Sequence, residues 1–370
     1  MSDLRKYTLV SVLSGSMFWL PIAVSYFEYR NLTVTQGLTI ISLYSLLTVI
    51  LEYPTGVIGD YYSHKISVIL GLFFVGVGMC MLSLPGGMMY YFASSAFVSL
   101  GLSLLSGSDT ALLHSISNNF KHDYAHINSL SLVWVVISTA LGSILAGISM
   151  PLPYIVTGLT SIIASLIAIT ISTQPKNKNS GNVFDKAIEG VTYTFKSRSV
   201  ISYIAIGTLV GTFTISLKWL YNPFFDYLHI PYALWGLVIS ATMLAIAVGT
   251  KLYSTYRNRF SLKSSLIVFV LLTGLLGFLV NLYVSVLLLL GFNVTRGFIT
   301  TQIDIGLNEI ISDSVRASVL SLKSLLIRLV SAGYIFASGF LIENSAFTLL
   351  FTVTAVIIGV GSMLSLKTNR

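Results

Sequence analysis

Charge is the scarcest property of this chain. Asp, Glu, Lys and Arg make up 9% of its 370 residues, against about 25% in ordinary soluble domains. With 55% hydrophobic residues, so little charge cannot cover a water-facing surface, and single soluble cores do not grow to this size. The composition therefore excludes a soluble globule and requires a lipid bilayer around the chain. Cysteine occurs once, as Cys80 in an apolar run, which excludes an internal disulfide framework and a multi-cysteine metal site. No phosphate-cradling glycine loop and no paired catalytic groups occur, so neither ATP hydrolysis within the chain nor enzyme activity is expected, and no cofactor is implied. His122 and His126 share a helical face but have no third metal ligand nearby. The 21 Lys and Arg against 13 Asp and Glu are scattered between apolar runs, which is not the clustered pattern of a nucleic-acid binder. The run Thr8 to Phe27 has spanning length with no small-residue cleavage site after it, so no cleavable signal peptide is expected.

What the chain does have is long apolar runs, each near the roughly 20 residues that cross a bilayer as a helix. Twelve spans are predicted, at 8–27, 33–56, 66–84, 88–112, 128–148, 154–173, 199–221, 231–252, 264–281, 284–308, 315–341 and 346–366. Pro85, Gly86 and Gly87, and then Pro151 and Pro153, mark turns between them. The least apolar stretch, 174–198, carries five of the 21 basic residues. Within it Phe184, Ala187, Ile188, Val191 and Phe195 recur at helical spacing, which predicts a short amphipathic helix on the membrane surface. The expected organisation is an all-α membrane protein of two pseudo-symmetric six-helix bundles, 1–173 and 199–370, joined by a cytoplasmic linker at 174–198.

The short polar hairpin between the second and third runs carries a motif. Gly56, Asp60 and Lys65 stand at the spacing glycine, three residues, aspartate, then basic residues, with His64 a partial replacement for a base. This resembles the loop between helices two and three of the major facilitator superfamily. Arg316-Ala317-Ser318-Val319-Leu320-Ser321 and Ser106-Gly107-Ser108-Asp109-Thr110-Ala111 are similar to segments of its drug-exporter-like prokaryotic members. The resemblance implies a secondary transporter that moves a small solute by alternating access between its halves. It further implies proton-coupled efflux, operation as a monomer and residence in the plasma membrane. A proline-bearing fifth span, usual in proton-driven drug antiporters, is missing here, which leaves solute uptake open. A non-transporting receptor or scaffold with the same fold is the alternative from another class. In the family, Gly56, Asp60, His64, Lys65 and Asp109 would form a conformational lock at one membrane face.

Ionisable residues inside apolar spans are costly and point to function. Glu52 stands eight residues before Asp60, about 12 Å along the helix, and shares a polar stripe with Ser45 and Thr48. It is the first proton-coupling candidate and Asp304 the second. Burial favours the protonated form of such a carboxyl; a structural acceptor near Pro54 is the competing reading. Asn293, Arg296, Thr300 and Asp304 form one stripe in the tenth span, and Ser321, Ser324, Arg328 and Ser331 another in the eleventh. Two arginines facing one cavity would favour an anionic substrate, while an ion pair of Arg296 with Asp304 or Glu309 would be purely structural. Trp19, Trp134, Trp219 and Tyr221 are candidate cavity-lining aromatics beside Thr300. Glu28 and Lys218, near the ends of spans one and seven, could pair as an outer gate.

With the N-terminus inside, sixteen basic residues fall in cytoplasmic segments and only Arg30 in an outer loop, the asymmetry that orients membrane proteins. In a Cys80-free background, single cysteines at Gly86 or Asn344 should react with an impermeant thiol reagent from outside, and one at Asn179 should not. The reverse labelling would refute this topology.

Overall fold

The computed structural model describes residues 2–61, 63–172, 192–195, 197–278, 282–312 and 315–367. Among them the regular structure is helical, with no strand. The helices are α1 Asp3–Ser14, α2 Ser25–Tyr29, α3 Val34–Tyr61, α4 His64–Ser83, α5 Met88–Leu105, α6 Ser108–Ile116, α7 Phe120–Ile148 and α8 Leu152–Ile169. They continue as α9 Arg198–Tyr227, α10 Tyr232–Tyr256, α11 Leu262–Leu276, α12 Leu282–Ile310, α13 Arg316–Glu343 and α14 Phe347–Lys367. Ten stretches are long and apolar enough to cross a membrane. The other two predicted spans appear as the segmented stretch 3–29 and the 15-residue α11. Most of the expected linker helix at 174–198 lies outside the described residues.

Contacts divide the chain into two compact units, Met1–Ser180 with Pro231–Ser240, and Gly181–Ile230 with Ala241–Arg370. In the first unit α4 packs between α5 and α8, and α3 lies along α5. Between apolar helices in lipid, close packing rather than escape from water supplies the attraction, so small residues collect at the crossings. Gly71 of α4 meets Gly101 of α5, and Gly76 of α4 meets Gly158 of α8. The residues Tyr7, Val68, Leu72, Leu112, Ile127 and Ala164 form a shared core between them. By contrast, Leu132, Val133, Ile144 and Ile148 of α7 are exposed, as a helix facing lipid requires. Residues 231–240 join this unit through polar contacts: the Gly236 N–H donates to Ser143 Oγ at 3.2 Å, and Ser240 Oγ donates to the Val136 carbonyl at 2.9 Å.

The first predicted span is not continuous. The chain leaves α1 at Gly15, makes a 3-10 turn at Leu20–Ile22 and re-enters a helix at Ser25. Pro21 lacks the N–H that an unbroken helix would use there. Backbone freed inside lipid must find partners, and α7 supplies them. The Met17 N–H donates to Ser138 Oγ at 3.0 Å, and Trp134 Nε1 donates to Ser16 Oγ at 2.9 Å. Gly142 lies directly against the Phe18 backbone. The fourth predicted span is broken too, at Ser106 and Gly107, where Gly107 has φ +75°, a conformation glycine adopts without steric cost. Past the first break, Arg30 fastens the end of α2 to α4, donating to the Ser83 carbonyl and to Tyr26 Oη at 2.5 and 2.9 Å. Tyr26, Tyr91 and Tyr154 pack beneath it, with Tyr26 and Tyr154 ring centroids 4.4 Å apart.

In the second unit α9 is the central helix, packed against α12, α13 and α14. Phe213, Phe224, Phe269, Phe292 and Phe351 fill the space around it in edge-on pairs, and Val200, Ile204, Leu307 and Val319 form a second core. Helices α10 and α12 cross with backbone nearly touching backbone: a Cβ on Gly249 would strike Val294 O, and one on Gly297 would strike Ile246 O. Gly297→Val should therefore lower the unfolding temperature of detergent-purified protein by about 1–4 °C, the shift expected of 1–3 kcal/mol of overpacking in a chain this long. An unchanged melting curve would show that the crossing can part without cost.

Candidate functional site

Three groups of predicted polar residues resolve into distinct settings. In the first unit, Glu52 is half-buried on α3 and accepts a 2.5 Å hydrogen bond from Ser106 Oγ, the residue at which α5 ends. Ser45 and Thr48, its expected stripe partners, turn their hydroxyls back to the Ile41 and Tyr44 carbonyls of their own helix. The Tyr44 carbonyl also accepts from Ser99 of α5 at 3.0 Å. Glu52 thus contacts the fourth stretch where its helix is interrupted, a feature the sequence gives no direct sign of.

The predicted lock residues fall at the end of α3, the start of α4 and the first turn of α6. Asp109 is exposed in the first turn of α6, where it accepts from the Thr110 N–H at 2.6 Å and favours that positive helix end. Its backbone carbonyl accepts from Tyr7 Oη at 2.9 Å. No ion pair joins Asp109 to Lys65 among the described residues. Lys65 instead lends its charge to the neighbourhood of Asp3, whose carboxyl is held below its usual range first by the hydrogen bond from Lys6. Lys6 Nζ spans Asp3 at 3.0 Å and the Thr170 carbonyl at 2.7 Å, tying α1 to the end of α8. The side chain of Asp60 lies outside the described residues, and a Cβ on Gly56 would meet nothing within 4 Å. His64 is half-buried at the start of α4.

The second unit gathers the remaining candidates. Lys218 was expected near a span end, but α9 runs on through Pro223 to Tyr227, which leaves Lys218 nine residues inside the helix. Its Nζ lies 4.6 Å from the Trp219 ring, and the charged groups acting on it are Arg296 and Arg328. Arg296 donates to Asn293 Oδ1 at 3.4 Å, and Tyr221 Oη of α9 donates to the same atom at 3.1 Å. Asn293 is fully buried, and its Nδ2 donates to the Leu289 carbonyl at 2.8 Å. One amide therefore fixes an arginine on α12 and a tyrosine on α9 together. The structural ion pair expected of Arg296 is formed by other partners: Asp304 pairs with Lys323 of α13.

Thr300 returns its hydroxyl to the Arg296 carbonyl. Trp219 and Tyr221 are buried, and Trp134 serves the first helix break described above, while Trp19 is half-buried at its far side. Glu28 lies in α2, so the gate expected of Glu28 and Lys218 joins residues of different units. Arg316, at the start of α13, reaches the Asn308 and Ile311 carbonyls at the end of α12 at 3.4 and 3.5 Å, a cation at a helix C-terminus. Among the described residues no three His, Cys, Asp or Glu side chains come together to hold a metal.

Apolar helices of spanning length with charged residues inside them make this a multi-pass membrane protein. The family model described as Major Facilitator Superfamily matches residues 7–331, and the chain belongs to that superfamily. Solved structures of similar fold include the nucleoside transporter NupG, with TM-score 0.83, 13% identity and full coverage of both chains. A bacterial homologue of the human lysosomal transporter Spinster, in an inward-facing and unoccupied conformation, gives TM-score 0.78 and 13% identity over 99% of this chain and 96% of that one. At these identities the likeness is one of fold. Compared with curated protein sequences, the chain finds no match.

Asn293→Leu keeps the side-chain volume but leaves Tyr221 and Arg296 without their shared acceptor. It should cost about 1–3 kcal/mol per orphaned buried group, read as a lowered unfolding temperature, with Tyr221→Phe costing less. Equal stability of Asn293→Leu and the parent would show that the network is not structural.

Proposed function

We propose that the chain is a secondary active transporter that moves a small solute by alternating access, coupled to protons and working in efflux. In this reading it acts as a monomer in the plasma membrane with both termini and the 174–198 segment cytoplasmic. The two bundles would be residues 1–173 and 199–370. The observation that carries the proton assignment is the Glu52–Ser106 contact. An acid on a spanning helix meets a neutral hydroxyl at an interruption of the neighbouring stretch. A carboxylate accepts such a bond more strongly than a carboxylic acid does, so taking up a proton would loosen α3 from the α5–α6 break. That links one proton to one conformational change. Asp304 is the second candidate, but it already has a cation in Lys323, and protonating it would have to break an ion pair.

Glu52→Gln should abolish accumulation driven by a pH step in proteoliposomes while solute exchange continues, since exchange moves no net proton. A mutant that still concentrates solute against its gradient would make Glu52 structural and pass the coupling role to Asp304.

A further inference from the structure

Two cations inside the spanning helices of the second unit, Lys218 and Arg296, lie against neutral groups among the described residues. Lys218 makes no hydrogen bond or ion pair among the described residues; its only recorded partner is the Trp219 ring. A ring face attracts an ammonium without supplying a counter-charge. Arg296 is held by Asn293, itself shared with Tyr221, and both partners are neutral. Neutral acceptors fix the direction of a guanidinium and leave its charge in place. Lys218 stands three residues before Tyr221 on α9, so it shares the helix face that meets Asn293 and Arg296. The unit's Asp304 pairs with Lys323. Like charges brought together in a poorly polarisable medium repel strongly, and such an arrangement is retained at a cost unless an anion answers it.

We propose that Lys218 and Arg296 form the recognition site for the negatively charged head of the transported solute, a small organic anion bearing a carboxylate or phosphate group. This rests on the transporter reading above and names its substrate class. Arg296 supplies the planar, bidentate donor that such heads fit, preset by Asn293. Lys218 supplies a point charge with free donors. Binding then removes the mutual repulsion of the two cations, so the loaded protein is more stable than the empty one.

The test uses the full chain purified in detergent, with benzoate, succinate and glycerol 3-phosphate as probes at constant ionic strength, and uridine and glucose as neutral controls. At least one anion should raise the unfolding temperature with saturating concentration dependence, and its half-saturation should move at least tenfold upward in Arg296→Gln and in Lys218→Gln. Lys218→Arg should keep binding, and Lys218→Met should melt no lower than the parent without ligand, which separates lost binding from lost folding. If a neutral probe stabilises parent and variants alike, or no anion shifts the parent, the anion site is overturned and the transporter reading survives. If an anion binds through these residues but is not exchanged across proteoliposomes, the site stands and the transporter reading falls.

Discussion

Inside a bilayer every backbone N–H and C=O needs a partner from the protein itself, and the departures from regular helix in this chain follow from how that demand is met. The first stretch unwinds at 15–19 because α7 offers Ser138 to the Met17 N–H and Trp134 to the Ser16 hydroxyl. The small Gly142 lets the two backbones meet. The serine and threonine hydroxyls that appear in the sequence as polar stripes mostly answer the same demand, turning back to carbonyls four residues earlier, as at Ser45, Thr48 and Thr300. Only a few polar side chains are left over for anything else.

Charge obeys the same economy. Arg30 and Arg316 each close a helix end by reaching carbonyls, Lys6 does so for α8, and Lys323 meets Asp304. Glu52 is satisfied by a hydroxyl at a helix interruption. Against that background, Lys218 with Arg296 stands apart, two cations whose recorded partners are neutral. The Tyr221–Asn293–Arg296 network gives α9 and α12 a common polar joint, so a solute that engages Arg296 also acts on the central helix of its unit.

The spans were legible because apolar runs of membrane length have one stable solution. Most helix ends fall within a few residues of the runs, and α8, α10 and α14 nearly coincide with them. The family motif at Gly56 and Lys65 was legible too, since its residues are local. What the sequence concealed depends on partners distant along the chain. The break after Ser14 needs Ser138, more than a hundred residues away, and neither Gly15 nor Pro21 alone announces it. Lys218 read as a span-end charge because the seventh run was ended at 221, yet the helix runs on to Tyr227. The Asp304 partner was sought on its own helix, at helical spacing from Arg296, whereas the cation came from α13. Asp109, expected in the lock with His64 and Lys65, accepts from the Thr110 N–H at the start of its own helix.

The uncompensated cations of the second unit are the feature on which a functional account most depends, and locating a bound anion tests it directly. Crystals grown with 4-bromobenzoate permit an anomalous map in which the bromine marks the ligand and its carboxylate can be traced. The account predicts the carboxylate within hydrogen-bond distance of Arg296 and Lys218. A ligand found away from both, with a carboxylate of the chain itself lying against Lys218, would contradict it.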